Sequence, residues 1–310
     1  MNKQHNYNTL DEALKAKYNQ KVFKVALNGD FTCPNRDGTI SNGGCIFCSS
    51  EGSGDFAGTR GTPLKEQFEQ IKSIISLKWP NSLYIAYFQA NTNTYGPISK
   101  LSSLFNEAIN LDPNIVALSI ATRPDCLSDE VINLLSNINK TKPVWVELGL
   151  QTTNDTTASL INRGYKTVVF YDAVKRLREH SIETIVHIIN GLPSETSEDM
   201  LNTINDLNKL DIQGIKIHSL YVLKNTPLEM MYNNHGFNLM SLDEYVEITA
   251  KQIELLNPNI VIHRISGDAP KDSLVTPLWG LKKFVVMNEL DKYMRKHNIH
   301  QGDKYHKKQE

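Results

Sequence analysis

Residues 30–50 have the sequence DFTCPNRDGTISNGGCIFCSS and contain three of the four cysteines in this 310-residue chain. Eleven residues separate Cys33 from Cys45, and two separate Cys45 from Cys48. Two consecutive glycines precede Cys45, and glycine lets a backbone turn tightly because it adopts positive φ angles without steric cost. We call this segment the cysteine loop. Three thiols so close together indicate a metal site.

Structural zinc, a disulfide and an iron–sulfur cluster are the three explanations for such a loop. Structural zinc requires four ligands in a closed tetrahedron, yet the remaining cysteine is Cys126 and the next histidine is His180. Four unevenly spaced cysteines do not resemble a disulfide framework. Iron–sulfur clusters normally have four cysteine ligands. Three cysteines would therefore leave one iron open to another ligand, and we favour this arrangement over zinc.

An open iron is what radical S-adenosylmethionine (SAM) enzymes need. The segments FTCPNRDG (31–38) and GCIFC (44–48) carry a resemblance to this superfamily, and within it to the bacterial group related to the Elongator catalytic subunit. The resemblance extends over about residues 5–285. The usual superfamily motif has a shorter first gap between cysteines, and the longer gap is a feature of this group.

The resemblance implies a 4Fe–4S cluster held by Cys33, Cys45 and Cys48, with SAM bound to its open iron. A flavodoxin- or ferredoxin-type donor would supply one electron, and SAM would be cleaved to methionine and a 5′-deoxyadenosyl radical. That radical would remove a hydrogen atom from the substrate. The cofactor carries this chemistry, and the protein binds, orients and shields the reactants.

Composition limits the cellular setting and the domain organisation. The 33 basic and 34 acidic residues give a net charge of −1, so charge alone indicates no polyanionic partner. No apolar run reaches the ~18–20 residues of a membrane span, and the N-terminus has no signal-peptide pattern. We expect a cytoplasmic protein. Without a linker-like segment, we predict a core barrel with an N-terminal helical extension at residues 1–285, followed by a basic tail at 286–310.

Short apolar runs alternate with amphipathic segments along the chain. After residues 22–27, such runs begin near Leu83, Ile115, Val144, Ile182, Ile215 and Ile260. Alternation of this kind indicates parallel strands joined by helices. The sequence predicts an α/β fold, a partial TIM-type (βα)6 barrel with short terminal extensions and an added strand near Ile260. The resemblance implies the same fold. We expect residues 5–20 to form a helix on the outside of the barrel.

Function in such barrels collects at the carboxyl ends of the strands. Gln89 and Asn91 follow the second predicted strand, and the resemblance places this turn beside the methionyl end of SAM. Arg123 follows the third strand in a Thr-Arg-Pro-Asp sequence that the Elongator-type relatives share. It either faces the substrate or pairs with Asp125. We expect the next residue, Cys126, to be a packed side chain and not a fourth ligand.

The fourth predicted strand carries Glu147 inside an apolar run, where a carboxylate is costly unless it is paired or hydrogen-bonded. The resemblance assigns Glu147 to the ribose hydroxyls of SAM, with Gln151 as a second cofactor contact. Arg163 resembles the arginine that pairs with the SAM carboxylate, a task that suits a bidentate guanidinium. A surface arginine is the alternative. Gly191 and Pro193 lie in a turn that, by resemblance, passes the adenine.

Basic residues occur at the end of the third predicted strand, in the sixth and in the final apolar segment, and we name Arg123, Lys216, His263 and Arg264 as catalytic candidates. Several basic groups around one barrel mouth would suit an anionic substrate. The resemblance points to tRNA, with conversion of a carboxymethylaminomethyl wobble uridine to its aminomethyl form. Two alternatives remain: a radical SAM enzyme acting on a small anionic metabolite, and a zinc-stabilised RNA-binding module without catalysis.

Overall fold

The computed structural model describes residues 5–50, 52 and 54–306. Seven strands pair in parallel, each beside the next along the chain, in one curved sheet. They are β1 (Val22–Leu27), β2 (Leu83–Phe88), β3 (Ile115–Thr122), β4 (Val144–Gln151), β5 (Glu183–Asn190), β6 (Gly214–Ser219) and β8 (Val261–Arg264). A small antiparallel pair consists of β7 (Val222–Leu223) and β9 (Leu274–Thr276).

Helices connect the strands. They are α1 (Leu10–Tyr18), α2 (Leu64–Ser76), α3 (Ile98–Ile109), α4 (Asp129–Asn139), α5 (Asp155–Leu160), α6 (Thr167–Glu179), α7 (Ser197–Leu207), α8 (Pro227–Asn233), α9 (Leu242–Leu255) and α10 (Lys283–His297). Side-chain caps start several of them, because the first turn of a helix leaves backbone N–H groups without partners. Thr196 and Asp199 form a capping box at α7, and Ser241 and Glu244 form one at α9.

The predicted fold class is confirmed. In the parallel sheet, each strand from β2 onward begins within one residue of the predicted position, and β8 is the added strand expected near Ile260; the short strands β7 and β9 were not predicted. Alternate residues of β4 point to opposite sides of the sheet. Val144, Val146 and Leu148 join the large core beneath the helices, whereas Trp145 and Glu147 face the barrel interior. The sheet forms a partial barrel, and β1 and β8 are its two edge strands.

The expectation that α1 packs outside the barrel is wrong. Leu14 of α1 is buried against Val22, Ile85 and Trp145, which face the interior at the amino ends of the strands. Thr9, which caps α1, also forms a parallel bridge with Ile262 of β8. The helix thus closes the lower end of the barrel between its two open edges. Its apolar pattern was visible in the sequence, but the side of the sheet was not.

Helix α10 packs along α9, and Leu290 and Met294 are fully buried there. The predicted boundary between residues 285 and 286 falls within this helix, and residues 307–310 of the predicted tail lie outside the described residues. The division into barrel and tail stays a prediction. In the part of the chain that is described, no helix is long and apolar enough to cross a bilayer.

Candidate active site

A cavity runs from the cysteine loop, across the carboxyl ends of the strands, into the barrel interior. Eleven of the fourteen residues predicted from the sequence line it. They are Cys33, Cys45, Cys48, Gln89, Asn91, Arg123, Glu147, Gln151, Arg163, Lys216 and Arg264. The structure therefore brings the three cysteines, the amide-rich turn and the buried acid into one site.

Backbone hydrogen bonds fix the cysteine loop. The Gly44 N–H donates to the carbonyl oxygen of Asn35 at 2.8 Å, and Gly44 has a φ of +83° that favours glycine. The Asn35 amide in turn donates to the carbonyl oxygen of Asn162 at 2.6 Å. The Ile46 N–H donates to the carbonyl oxygen of Ile161 at 3.1 Å. The loop is thereby fastened to the segment after β4.

The three loop cysteines are free thiols that line the same cavity. The hydrogen bond with Cys48 lowers the pKa of Cys45, and the nearby charges of Arg123 and Arg163 add to this effect. Thiolates are the form that binds iron. The same hydrogen bond raises the pKa of Cys48 well above its usual range, and burial raises the pKa of Cys126 to about 12. These shifts do not separate the loop cysteines from Cys126, and the assignment of three ligands stays a prediction.

The donor set fits an iron–sulfur cluster with SAM beside it. Oε1 of Gln151 and Nε2 of His218 are buried against the cavity without a hydrogen-bond partner among the described residues, and such atoms ordinarily have one. Within residues 5–50, 52 and 54–306, no three Cys, His, Asp or Glu side chains gather as around a single metal ion.

Arg163 is almost entirely buried, and its guanidinium is surrounded by oxygen atoms of the chain. Nη1 donates to the carbonyl oxygens of Leu150 and Thr152, both at 2.7 Å. Nε and Nη2 donate to the Tyr165 carbonyl at 3.1 and 3.0 Å, and Nη2 also reaches Asp155 at 3.2 Å. These contacts hold the β4–α6 connection in place. Binding of the SAM carboxylate by Arg163 stays a prediction that the protein contacts do not favour.

Arg123 forms a bidentate pair with Asp125, with Nε–Oδ1 at 2.9 Å and Nη2–Oδ2 at 2.7 Å. Its Nη1 donates to the carbonyl oxygen of Arg163 at 2.9 Å, and its guanidinium lies over the Tyr165 ring. The Arg–Asp pair is thus the alternative that the sequence left open. Arg123 is placed to support the cavity wall, while its catalytic role stays a prediction.

Glu147 lies inside the barrel with its side chain wholly buried. Oε1 accepts from the Lys24 ammonium and from the Ser119 hydroxyl, the latter at 2.6 Å. Oε2 accepts from the Lys216 ammonium and lies 2.7 Å from Nε2 of His187. We call these five side chains the acid–lysine layer. The carboxylate is paired as its burial requires, but by protein groups.

Burial and mutual repulsion set the charges in the acid–lysine layer. The two lysines hold the pKa of Glu147 well below its usual range, against the effect of burial. Burial lowers the pKa of Lys216 to about 7, with the charges of Lys24 and Arg264 acting in the same direction. Burial lowers the pKa of His187 to about 4. Burial lowers the pKa of Lys24 as well. At neutral pH the layer holds one anion, a neutral His187 and a Lys216 that titrates.

Three predicted residues lie elsewhere. His263 is half-buried beside Trp145, with the two rings 5.5 Å apart, and does not line the cavity, so the structure does not place it at the barrel mouth. Gly191 and Pro193 line a second cavity, beside Met240 and the start of α7. Arg264 does line the first cavity, where its Nη2 pairs with Asp268 at 3.2 Å.

Sequence reasoning missed Lys24, His187 and Tyr87. Each faces the barrel interior from a strand and contacts Glu147 or Lys216. A signal for two of them was present, because Lys24 and His187 interrupt apolar runs as Glu147 does. Applying the cost of burying a polar side chain to every strand would have found them.

Comparison with known proteins identifies the family of the chain. The radical SAM superfamily model matches residues 37–207, and a radical SAM C-terminal domain model matches residues 212–296. The uncharacterized protein YtqA of Bacillus subtilis is 44% identical over 301 residues, covering 97% of this chain and 93% of that protein. The protein YhcC of Escherichia coli is 34% identical over 287 residues, 92% of this chain and 91% of its own length.

Two further matches concern the Elongator group. A tRNA uridine(34) acetyltransferase of Methanocaldococcus jannaschii is 27% identical over 187 residues, which cover 59% of this chain and 34% of that enzyme. The solved structure of the archaeal Methanocaldococcus infernus Elp3 superposes with a TM-score of 0.66 at 18% identity, over 91% of this chain and 64% of that one. The structural match shows the shared fold, and the partial sequence match supports the resemblance to the Elongator-related group. The chain therefore belongs to the radical SAM superfamily and is an enzyme that uses a 4Fe–4S cluster and SAM.

Proposed function

We propose that this enzyme acts on the wobble uridine of tRNA and converts a carboxymethylaminomethyl side chain to the aminomethyl form. The observation that carries the proposal is the similarity to a tRNA uridine(34) acetyltransferase across 59% of the chain. The charge of the cavity supports it. Lys216 and Arg264 line the cavity, and the layer around Lys216 has more bases than acids. Such a wall suits a substrate that carries a carboxylate.

In this proposal each wall of the cavity has its own task. The three loop cysteines hold the cluster, while Gln89, Asn91 and the unpartnered Oε1 of Gln151 face SAM. Bound there, the cofactor would supply a radical that removes a hydrogen atom from the carboxymethyl carbon. The substrate would then return one electron to the oxidised cluster and become an imine, which water would hydrolyse to the aminomethyl group and glyoxylate. The protein shields the radical from bulk solvent and holds the uridine side chain against it.

Two partners complete the proposal. A cytoplasmic flavodoxin- or ferredoxin-type protein supplies the electron. The tRNA docks on the barrel rim and on α10, whose last turn carries Arg295, Lys296 and His297. Because cationic contacts to phosphate release counterions, tRNA binding weakens as salt is added.

The test uses anaerobically reconstituted enzyme with an active electron donor. tRNA that carries the carboxymethylaminomethyl group should yield 5′-deoxyadenosine and aminomethyl-uridine, which mass spectrometry of the nucleosides detects. An unmodified transcript should be inert. If the modified tRNA stays unchanged while the enzyme cleaves SAM, the tRNA proposal is wrong and a small anionic metabolite takes its place. If the protein binds zinc but neither iron nor sulfide, the zinc-stabilised RNA-binding module is the alternative that stands.

A further inference from the structure

Lys216 projects into the inner end of the cavity, on the interior face of β6. Its ammonium donates to Oε2 of Glu147, and to the Tyr87 hydroxyl at 3.2 Å. An ammonium has three donor hydrogens, and these two are the acceptors that the described residues provide. One donor of Lys216 is thus left for a group inside the cavity.

The other cationic side chains of the cavity have their donors directed elsewhere. Arg163 donates to backbone carbonyls, and Arg123 forms its bidentate pair with Asp125. Arg36 donates to the carbonyl oxygens of Ser49 and Ser50 within the cysteine loop. Arg264 pairs with Asp268 at the rim of the cavity. Among the described cavity residues, Lys216 is the base that both lies at the inner end of the cavity and has an N–H donor without a protein acceptor.

The balance of charge points in the same direction. Glu147 is shared between Lys24 and Lys216, so one carboxylate faces two ammonium groups. The titratable and charged groups that face Lys216 from the packed strands are Lys24, Tyr87, Glu147, His187, His218, His263 and Arg264. Glu147 is the anion among them. An incoming carboxylate would restore neutrality and stabilise the protonated lysine.

We propose that Lys216 recognises the carboxylate of the substrate at the inner end of the cavity, and that Glu147 is a positioning residue that orients the Lys216 ammonium. This inference rests on the proposed function, because it assigns the carboxymethyl group of the uridine to one lysine. It also replaces the predicted ribose contact of Glu147 with a role toward Lys216. Substrate binding would then be coupled to the protonation of Lys216.

The main experiment compares two substrates in two enzymes. One substrate is tRNA bearing the carboxymethylaminomethyl group, and the other bears its neutral methyl ester. Wild-type enzyme should show a KM roughly 10- to 100-fold higher for the ester, the usual effect of losing a hydrogen bond to a charged group. Lys216→Met should show a similarly raised KM for the carboxylate and no preference between the two. A Lys216→Met enzyme that still prefers the carboxylate as strongly as wild type would overturn the assignment.

Folding and cofactor binding are measured separately. Lys216→Met should keep its iron and sulfide content, and its Kd for SAM should stay within about twofold of wild type, since the lysine touches neither in this assignment. Lys216→Arg retains the positive charge and replaces Lys216→Met in the test if the methionine variant folds poorly. It should regain part of the preference for the carboxylate. Lys175→Met on the exposed face of α6 is the matched control, and it should keep the wild-type KM for both substrates.

The pH dependence provides an independent readout. With a pKa of about 7 for Lys216, the charged form that binds the carboxylate is lost as the pH rises, so KM for the carboxylate tRNA should rise above that pH. Lys216→Arg should show a flat KM over the same range. Lys24→Met should move the rise to higher pH, because the charge of Lys24 lowers the pKa of Lys216. A wild-type KM that is flat between pH 6 and about 9 contradicts the proposal.

The proposed function and this inference fail in different ways. If wild-type enzyme leaves both tRNAs unchanged, the proposed function is wrong and the role of Lys216 toward tRNA falls with it. If wild-type enzyme converts the carboxylate tRNA but Lys216→Met does so with unchanged KM, the function stands and the assignment of Lys216 is wrong.

Discussion

Glu147 is the position at which a single change should disturb the barrel interior most. Replacing it with glutamine keeps the shape of the side chain but removes the anion from a layer that also contains Lys24 and Lys216. The side chain is 0% exposed, so water cannot take over the role of the carboxylate. The two lysines would then repel each other, and each must lose a proton or move.

The expected cost follows from these contacts. Removing one partner of a buried ion pair typically destabilises a protein by ~3–5 kcal/mol. Glutamine still accepts the 2.6 Å hydrogen bond from Ser119, so we expect the lower end of that range, about 3 kcal/mol. Adding Lys24→Met to the variant removes one uncompensated charge. The double variant should recover at least ~1 kcal/mol, a coupling of the size found between contacting residues.

The assay is anaerobic denaturation of the reconstituted enzyme, followed by tryptophan fluorescence. Trp145 lies next to the layer, with its ring 5.1 Å from the Lys24 ammonium. Midpoints are comparable where the denaturant slopes agree. Glu179→Gln, at an exposed pair with Lys175 on α6, is the matched control and should cost under ~1 kcal/mol. A Glu147→Gln protein as stable as that control would refute the reasoning.

Three further predictions concern the cofactors and tRNA. Alanine at any one of the three loop cysteines should abolish the iron and sulfide content of reconstituted protein, whereas Cys126→Ala should keep it; the reverse pattern would overturn the ligand assignment. Arg163→Met should lower the denaturation midpoint more than it raises the Kd for SAM, because its donors hold backbone carbonyls; a wild-type midpoint with weak SAM binding would restore the predicted cofactor role. Charge removal at Lys292, Arg295 and Lys296 should weaken tRNA binding by filter assay and leave SAM cleavage intact. These substitutions are a better test than truncation after Asn288, because truncation would also remove the buried Leu290 and Met294. Unchanged tRNA binding would exclude α10 as a docking surface.

The order of strands and helices was predictable because it depends on local patterns. Apolar runs of strand length alternate with amphipathic segments, and parallel pairing follows from that alternation. The side of the sheet that α1 covers was not predictable. Leu14 would be equally apolar on either face, and the choice depends on the gap between β1 and β8, which exists only once the sheet has curved.

The candidate site divides in a similar way. Cys33, Cys45 and Cys48 were found from spacing, and Glu147 from the cost of a carboxylate in an apolar run. What each side chain contacts was not accessible. Arg163 binds carbonyls of its own connection, and nothing in a linear sequence shows how many donors of an arginine are already used. His263 was misplaced because it lies beside Trp145 while Arg264 lines the cavity, and the register shift between β6 and β8 at this point is not visible in a linear sequence.

The position of the acid–lysine layer bears on why it exists. In the next layer of side chains toward the amino ends of the strands, Val22, Ile85 and Trp145 fill the same barrel, so apolar side chains fit this interior. Buried ion pairs are often no more stabilising than apolar side chains of the same volume. Stability alone therefore does not explain why the acid–lysine layer is polar. What distinguishes that level is that Glu147 and Lys216 border the cavity, so the layer is best explained by the group that the cavity receives.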